Sequence, residues 1–122
     1  MNVETIRDAW VIVKATGEID LSNVSELRDA VDSALESSPE GFIIDLTDLT
    51  YIDSAGVAVV ISAYRHASKL GGRLAVVKPS APNVQRILDL IGLDMLPNII
   101  VTRDTNTAKM ALSAADAQAS RE

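Results

Sequence analysis

The stretch Asp45-Leu46-Thr47-Asp48-Leu49-Thr50-Tyr51-Ile52-Asp53-Ser54-Ala55-Gly56 gathers carboxylates and hydroxyls between two apolar runs. Three kinds of chemistry could be built from it. Asp45, Asp48 and Asp53 offer oxygen donors suited to Mg²⁺. Ser54 could act as a nucleophile if a base stood beside it. It could also accept a phosphoryl group, because a helix N-terminus stabilises phosphate through its free N–H groups and its dipole. A purely structural use is compatible with the last: Ser54 as an N-cap, its oxygen accepting a backbone N–H.

The nucleophile reading lacks its base. The one histidine, His66, lies further along the same predicted helix, ~18 Å away at a rise of 1.5 Å per residue, so it reads as a surface residue. A nucleophile elbow requires Gly two residues before the Ser, where this chain has Ile52. The acidic stretch with Lys78-Pro79 shares something with phosphate-accepting receiver domains. Those need a second acidic pair after the first strand and a Lys one strand further on, an order this chain lacks. Gly71-Gly72 reads as a helix stop, not a phosphate-binding loop, and no HExxH or EF-hand pattern is present. No enzymatic activity, metal or other cofactor is expected.

The elements that must position these residues follow from hydrophobic spacing. Val3-Glu4-Thr5-Ile6 alternates as a short edge strand, Asp8-Ala9 turns, and Trp10-Val11-Ile12-Val13 begins a second strand ending near Gly17. Val24, Leu27, Val31 and Leu35 share one helical face, with Asn23 and Glu26 resembling a capping box, or Asp20 or Ser22 capping instead. Phe42 to Leu46 is a strand. The long segment from Ala55 to Leu70 is a helix, apolar nearly all round at first and therefore buried early, stopped by Gly71-Gly72. Arg73 to Lys78 is a strand. A helix then starts at Ser80 before Pro82, with Val84, Ile87, Leu88 and Ile91 inward and Gly92 as cap. Ile99 to Thr102 is the last strand, and Asp104 or Thr105 opens an Ala-rich helix with Ala108, Ala111, Leu112 and Ala115 inward. Strands alternating with helices predict an α/β fold: a mixed, mainly parallel sheet with a leading hairpin and about four helices. Ser54 then stands at the C-terminal edge of the sheet, where ligands and partners dock.

Composition narrows the partners. The 122 residues suffice for one domain, here 1–113, followed by an Ala/Ser-rich tail at 114–122. Hydrophobic residues make up 48% and aromatics only 3%, so the core is aliphatic and base stacking on rings is disfavoured. A net charge of −6 disfavours nucleic acid and anionic membrane surfaces as partners. Cys is absent, which removes disulfides and thiolate chemistry. The first residues carry no basic-then-apolar signal pattern, and no apolar run approaches the ~20 residues of a membrane span. A cytoplasmic location without direct membrane insertion is expected.

Two motifs together point to a family. Gly17-Glu18-Ile19-Asp20 ends the second strand, and Ile52-Asp53-Ser54-Ala55-Gly56-Val57 opens the long helix; Gly92-Leu93-Asp94 adds to them. The chain resembles the STAS domain, specifically single-domain bacterial anti-sigma factor antagonists, from about Val3 to Leu112. The resemblance implies a STAS-like fold that works by regulated protein binding. The unphosphorylated antagonist binds an anti-sigma factor that is also a Ser/Thr kinase. The kinase phosphorylates a Ser corresponding to Ser54, which releases the complex, and a metal-dependent Ser/Thr phosphatase resets it.

The resemblance marks Ser54 as phosphoacceptor and Asp20, Asp53, Ser54, Ala55, Gly56 and Val57 as partner-binding, with Gly56 permitting close packing of the helix start. Relatives often carry Ser where this chain has Ala55, which leaves Ser54 as the hydroxyl at this tip. The alternative within the same fold is a non-phosphorylated STAS subunit of a membrane transport or signalling complex, with Ser54 serving as cap or interface hydroxyl.

Overall fold

A computed structural model describes residues 1–120. In chain order the elements are β1 (Asn2–Arg7), β2 (Val11–Ile19), α1 (Val24–Ser37), β3 (Gly41–Asp45), β4 (Leu49–Ile52), α2 (Ser54–Lys69), β5 (Arg73–Val77), α3 (Pro82–Leu90), β6 (Ile100–Thr102) and α4 (Thr105–Ser120). A short 3₁₀ turn, Leu93–Met95, follows α3. The sheet runs β1-β2-β3-β5-β6, antiparallel only between β1 and β2 and parallel elsewhere. This is the mixed, mainly parallel sheet with a leading hairpin that the sequence predicts.

The central strands β3 and β5 are apolar over residues 42–44 and 74–77, as suits strands covered on both faces. Alternate residues feed two cores. Val11, Val13, Phe42, Ile44, Leu74 and Val76 pack under α1, α2 and α3, whereas Ile12, Ile43, Ala75 and Val77 face Ala108 and Leu112 of α4. The α4 face is closed by the hairpin: Trp10 Nε1 donates to Ser113 Oγ at 3.1 Å, and Lys109 pairs with Asp8. Residues 114–120 of the expected tail continue α4, and residues 121–122 lie outside the described residues.

The sheet contains a strand that the sequence reading left unassigned. Asp45 ends β3 by turning its carboxylate onto Thr47, whose N–H and hydroxyl both donate to Oδ1. The chain then re-enters as β4 and pairs with the far end of β2, Ile19 opposite Ile52. β2 therefore continues past Gly17 to Ile19 and serves two partners, β3 along its first half and β4 along its second. The register shifts between Gly17 and Glu18, and Gly17 adopts φ +86°, a left-handed conformation that disfavours a side chain.

Helix details also depart from expectation. Asn23 precedes α1 but makes no cap bond. Its amide instead accepts from Asp20 N–H at 3.0 Å and donates to Glu18 O at 3.0 Å, tying the helix entry to the end of β2. Ala34 joins Val24, Leu27 and Val31 as the buried face of α1, and Leu35 is half-buried and packs against the same core. The α3 helix starts at Pro82 with Ala81 before it, since Pro at the first helical position forfeits no hydrogen bond. Ile91 is exposed rather than inward, because the helix has already ended and Gly92 takes φ +70°.

Candidate functional site

The C-terminal ends of β2 and β4 lie side by side, so Asp20 and Asp53 each follow a residue of the buried pair Ile19 and Ile52. Asp53 N–H donates to Ile19 O at 3.2 Å, which fixes the start of α2 against the end of β2. Gly56 makes this approach possible. A Cβ there would sit 2.7 Å from Ile52 Cγ1 and 2.8 Å from Ile19 Cγ2, below any ordinary contact. The sequence-predicted residues Asp20, Asp53, Ser54, Ala55, Gly56 and Val57 are thus brought to one edge of the sheet.

Their individual situations differ. The N-cap is Asp53, not Ser54: Asp53 Oδ1 accepts from Ala55 N–H at 2.9 Å and Gly56 N–H at 3.3 Å. As a carboxylate, Asp53 also meets the positive end of the helix dipole. Ser54 is thereby released from capping. It is the first residue of α2, exposed, and its hydroxyl has no hydrogen-bond partner among the described residues. Gly56 is buried, while Ala55 and Val57 are half-buried.

Asp20 is exposed enough for solvent but is engaged by Ser22, whose N–H and hydroxyl both donate to Oδ1. The Ser22 hydroxyl, helped by backbone N–H groups of Ser22 and Asn23, holds the Asp20 carboxyl below its ordinary value. Asp20 is therefore a fixed negative charge at neutral pH.

The three carboxylates considered as a metal set have separate partners. Asp45 is buried and turned onto Thr47. Asp48 pairs with Lys14 at 3.2 Å, which raises the Lys14 pKa. Asp53 caps α2. Among the described residues no cluster of His, Cys, Asp and Glu is arranged to hold a metal ion. His66 is exposed, with Nδ1 2.9 Å from Ser62 O, as a surface position on α2.

Of Val57, Val60, Ile61 and Leu88, expected in the core and the apolar surface adjoining Ser54, Val60 and Leu88 are buried and Val57 and Ile61 half-buried; the exposed Ala58 beside them is the residue that sequence reasoning did not name. The first turns of α2 are not buried all round. Ala58 is exposed and Val57 and Ile61 are only half-buried, so with Ser54 they form a strip at helical spacing along the open side of α2. This strip lines an open cavity of about 470 Å³ that continues to Ser62, Arg65, His66 and Lys69. Leu21, after Asp20, and Tyr51, two residues before Asp53, are also exposed. The available signal was an excess of apolar residues: Ala55 to Ile61 holds more than one core-facing side can bury.

The fold thus presents an exposed Ser at the first position of a helix, on the C-terminal edge of a mainly parallel sheet. The STAS domain family profile matches residues 1–106, and the chain belongs to that family. It is 32% identical over 84 residues to an anti-sigma F factor antagonist of Paenibacillus polymyxa, covering 68% of this chain and 71% of that one. Among solved structures it resembles an anti-sigma factor antagonist from Mycobacterium paratuberculosis, at 26% identity and a TM-score of 0.76, over 92% of this chain and 95% of that one. It shares the fold of the Bacillus cell fate determinant SpoIIAA in its phosphorylated form, at 22% identity and a TM-score of 0.66, over 90% and 97% of the two chains. No helix among the described residues is long and apolar enough to cross a membrane.

Proposed function

We propose that this chain is an anti-sigma factor antagonist whose binding to an anti-sigma factor Ser/Thr kinase is switched off by phosphorylation of Ser54. The observation that carries this reading is the free, exposed hydroxyl of Ser54 at the start of α2, with Asp53 doing the capping in its place. Such a hydroxyl can enter a kinase site without loss of the helix cap. The names of the similar antagonists support the binding role, and SpoIIAA, which shares the fold, has a structure in a phosphorylated form.

The switch follows from charge. The γ-phosphoryl of ATP passes to Ser54 Oγ, ADP leaves, and the hydroxyl proton is lost to a base of the kinase. The product adds about −1.5 to −2 charges at pH 7. Ordinarily a helix N-terminus welcomes such a charge. Here Asp53 already occupies the Ala55 and Gly56 N–H groups, and Asp20 holds a second negative charge at the same sheet edge. The added charge therefore raises a negative field next to the apolar strip of Val57, Ala58 and Ile61. A partner surface that fits an uncharged hydroxyl and apolar side chains loses that fit, while the fold is retained. A metal-dependent Ser/Thr phosphatase restores the binding form, and the cycle runs in the cytoplasm without enzymatic activity of this chain.

The test is incubation of the purified protein with host lysate and ATP, followed by phosphopeptide mass spectrometry. Phosphate on Ser54, absent from Ser54→Ala, is expected. Phosphate nowhere, while another antagonist is phosphorylated in the same lysate, overturns the switch.

A further inference from the structure

The opposite end of the sheet edge carries two cations that the function proposed above does not use. Lys78 follows β5 and Arg103 follows β6, and these strands are parallel with Val77 opposite Thr102. Lys78 N–H donates to Thr102 O at 2.8 Å, so the pairing continues one step and sets Lys78 beside Arg103. Val76 and Val101 pack into the larger core. Side-chain alternation therefore places Lys78 and Arg103 on that same face, with backbones about 5 Å apart. Like charges opposite one another on a sheet are unfavourable unless a counter-charge lies between them. Neither makes an ion pair among the described residues.

The surroundings form a built recess. Lys78, Pro79, Ser80, Gln85 and Arg103 line an open cavity of about 450 Å³. Its floor is held rigidly: Gln85 Nε2 donates to Pro79 O at 2.8 Å, Ser80 N–H donates to Thr47 O at 3.0 Å, and Pro79 is buried. The Ser80 side chain is exposed and has no partner among the described residues. Two cations and a hydroxyl donor on a fixed segment match a tetrahedral oxyanion, for which Arg supplies forked N–H donors and Lys a point charge. The adjoining cavity brings Leu88, Leu93 and Val101 against Lys78 and Pro79, and it also carries Asp89 and Asp94. We infer that Lys78, Arg103 and Ser80 form a binding site for a phosphate group, separate from Ser54.

The experiment is an amide NMR titration of the full chain at pH 7 with inorganic phosphate, ionic strength being held constant with sodium chloride. Saturable shifts at Lys78, Ser80 and Arg103 are expected. Lys78→Gln and Arg103→Gln each weaken binding about tenfold, the scale of one lost charge-assisted hydrogen bond. Both are surface changes that leave the spectrum folded. Ser54→Ala binds phosphate unchanged, so the outcome is independent of the switch. A parallel titration with a nucleoside monophosphate distinguishes an esterified phosphate, which binds tighter by using the adjoining apolar cavity, from the free ion. Linear shifts equal to those caused by sodium chloride overturn the site, as does saturation that survives in the Lys78→Gln, Arg103→Gln double variant. Binding that emerges only with Asp89→Asn and Asp94→Asn would also overturn it, because Lys78 would then be neutralised within the chain.

Discussion

At the scale of single residues, Asp53, Ser54 and Gly56 divide the work of one helix start. Asp53 satisfies the two N–H groups, Gly56 lets the helix touch Ile19 and Ile52, and Ser54 is left unencumbered. Each role has its own signature on mutation. Asp53→Ala removes the cap and lowers unfolding stability by about 1 kcal/mol, measured by urea titration. Gly56→Ala drives a methyl group into two fully packed isoleucines and costs about 1–3 kcal/mol in the same assay. Ser54→Ala leaves stability within about 0.5 kcal/mol of the parent, because its hydroxyl is exposed and unbonded. The same change preserves kinase binding and abolishes phosphorylation. Ser54→Asp places a charge where the phosphate would stand and weakens kinase binding by tenfold or more, about 1.4 kcal/mol, readable by calorimetry. Equal affinity of the Ala and Asp variants for the kinase would remove the electrostatic basis of the switch.

At the scale of elements, the open side of α2 makes the next demand. Ala58 is exposed on the strip that begins at Ser54, so Ala58→Glu should barely alter thermal stability yet reduce kinase affinity about tenfold by burying an unpaired charge. Unchanged affinity would place the interface elsewhere. Helices α1, α2 and α3 and strands β3 and β5 were legible because their apolar spacing follows one period. Strand β4 was not. Only Leu49 and Ile52 are buried, while Thr50 and Tyr51 between them are exposed, so the four residues show neither alternation nor a continuous apolar run. What makes them a strand is the free edge of β2 beyond Gly17, a tertiary fact absent from the local pattern. The position of Ser54 at the helix start was legible from its neighbours. Its freedom from capping was not, since Asp and Ser are equally good caps and only the backbone decided between them.

At the scale of the whole molecule, stability and charge meet in the contact that closes the second core. Lys109 on α4 reaches Asp8 in the hairpin turn, close to the Trp10–Ser113 hydrogen bond, so residues far apart in sequence hold α4 against the sheet. The Lys109 hydrogen bond and charge pull the Asp8 carboxyl below its ordinary value of 3.8, with a further contribution from Ala9 N–H. A carboxyl depressed in the folded state stabilises the fold at pH values above its unfolded pKa. That contribution fades as pH falls through the folded value and protonates the group. Asp20 and Asp104 are depressed in the same direction, by Ser22 and by Thr107 respectively, so the three act together on the acid side. The melting temperature should therefore vary little from neutral pH down to about 5 and fall as the pH drops below about 4. Lys109→Met tests the hairpin's share. In an NMR titration its Asp8 carboxyl should return toward 3.8, and the acid loss of melting temperature should be shallower than in the parent. Because the pair is largely solvated, 1 M salt should diminish the difference between the two proteins, the Debye length there being only about 3 Å. An acid limb unchanged by both Lys109→Met and salt would mean that α4 is held by Ala108, Leu112 and Trp10 alone, and that its ion pair with the hairpin is without thermodynamic effect.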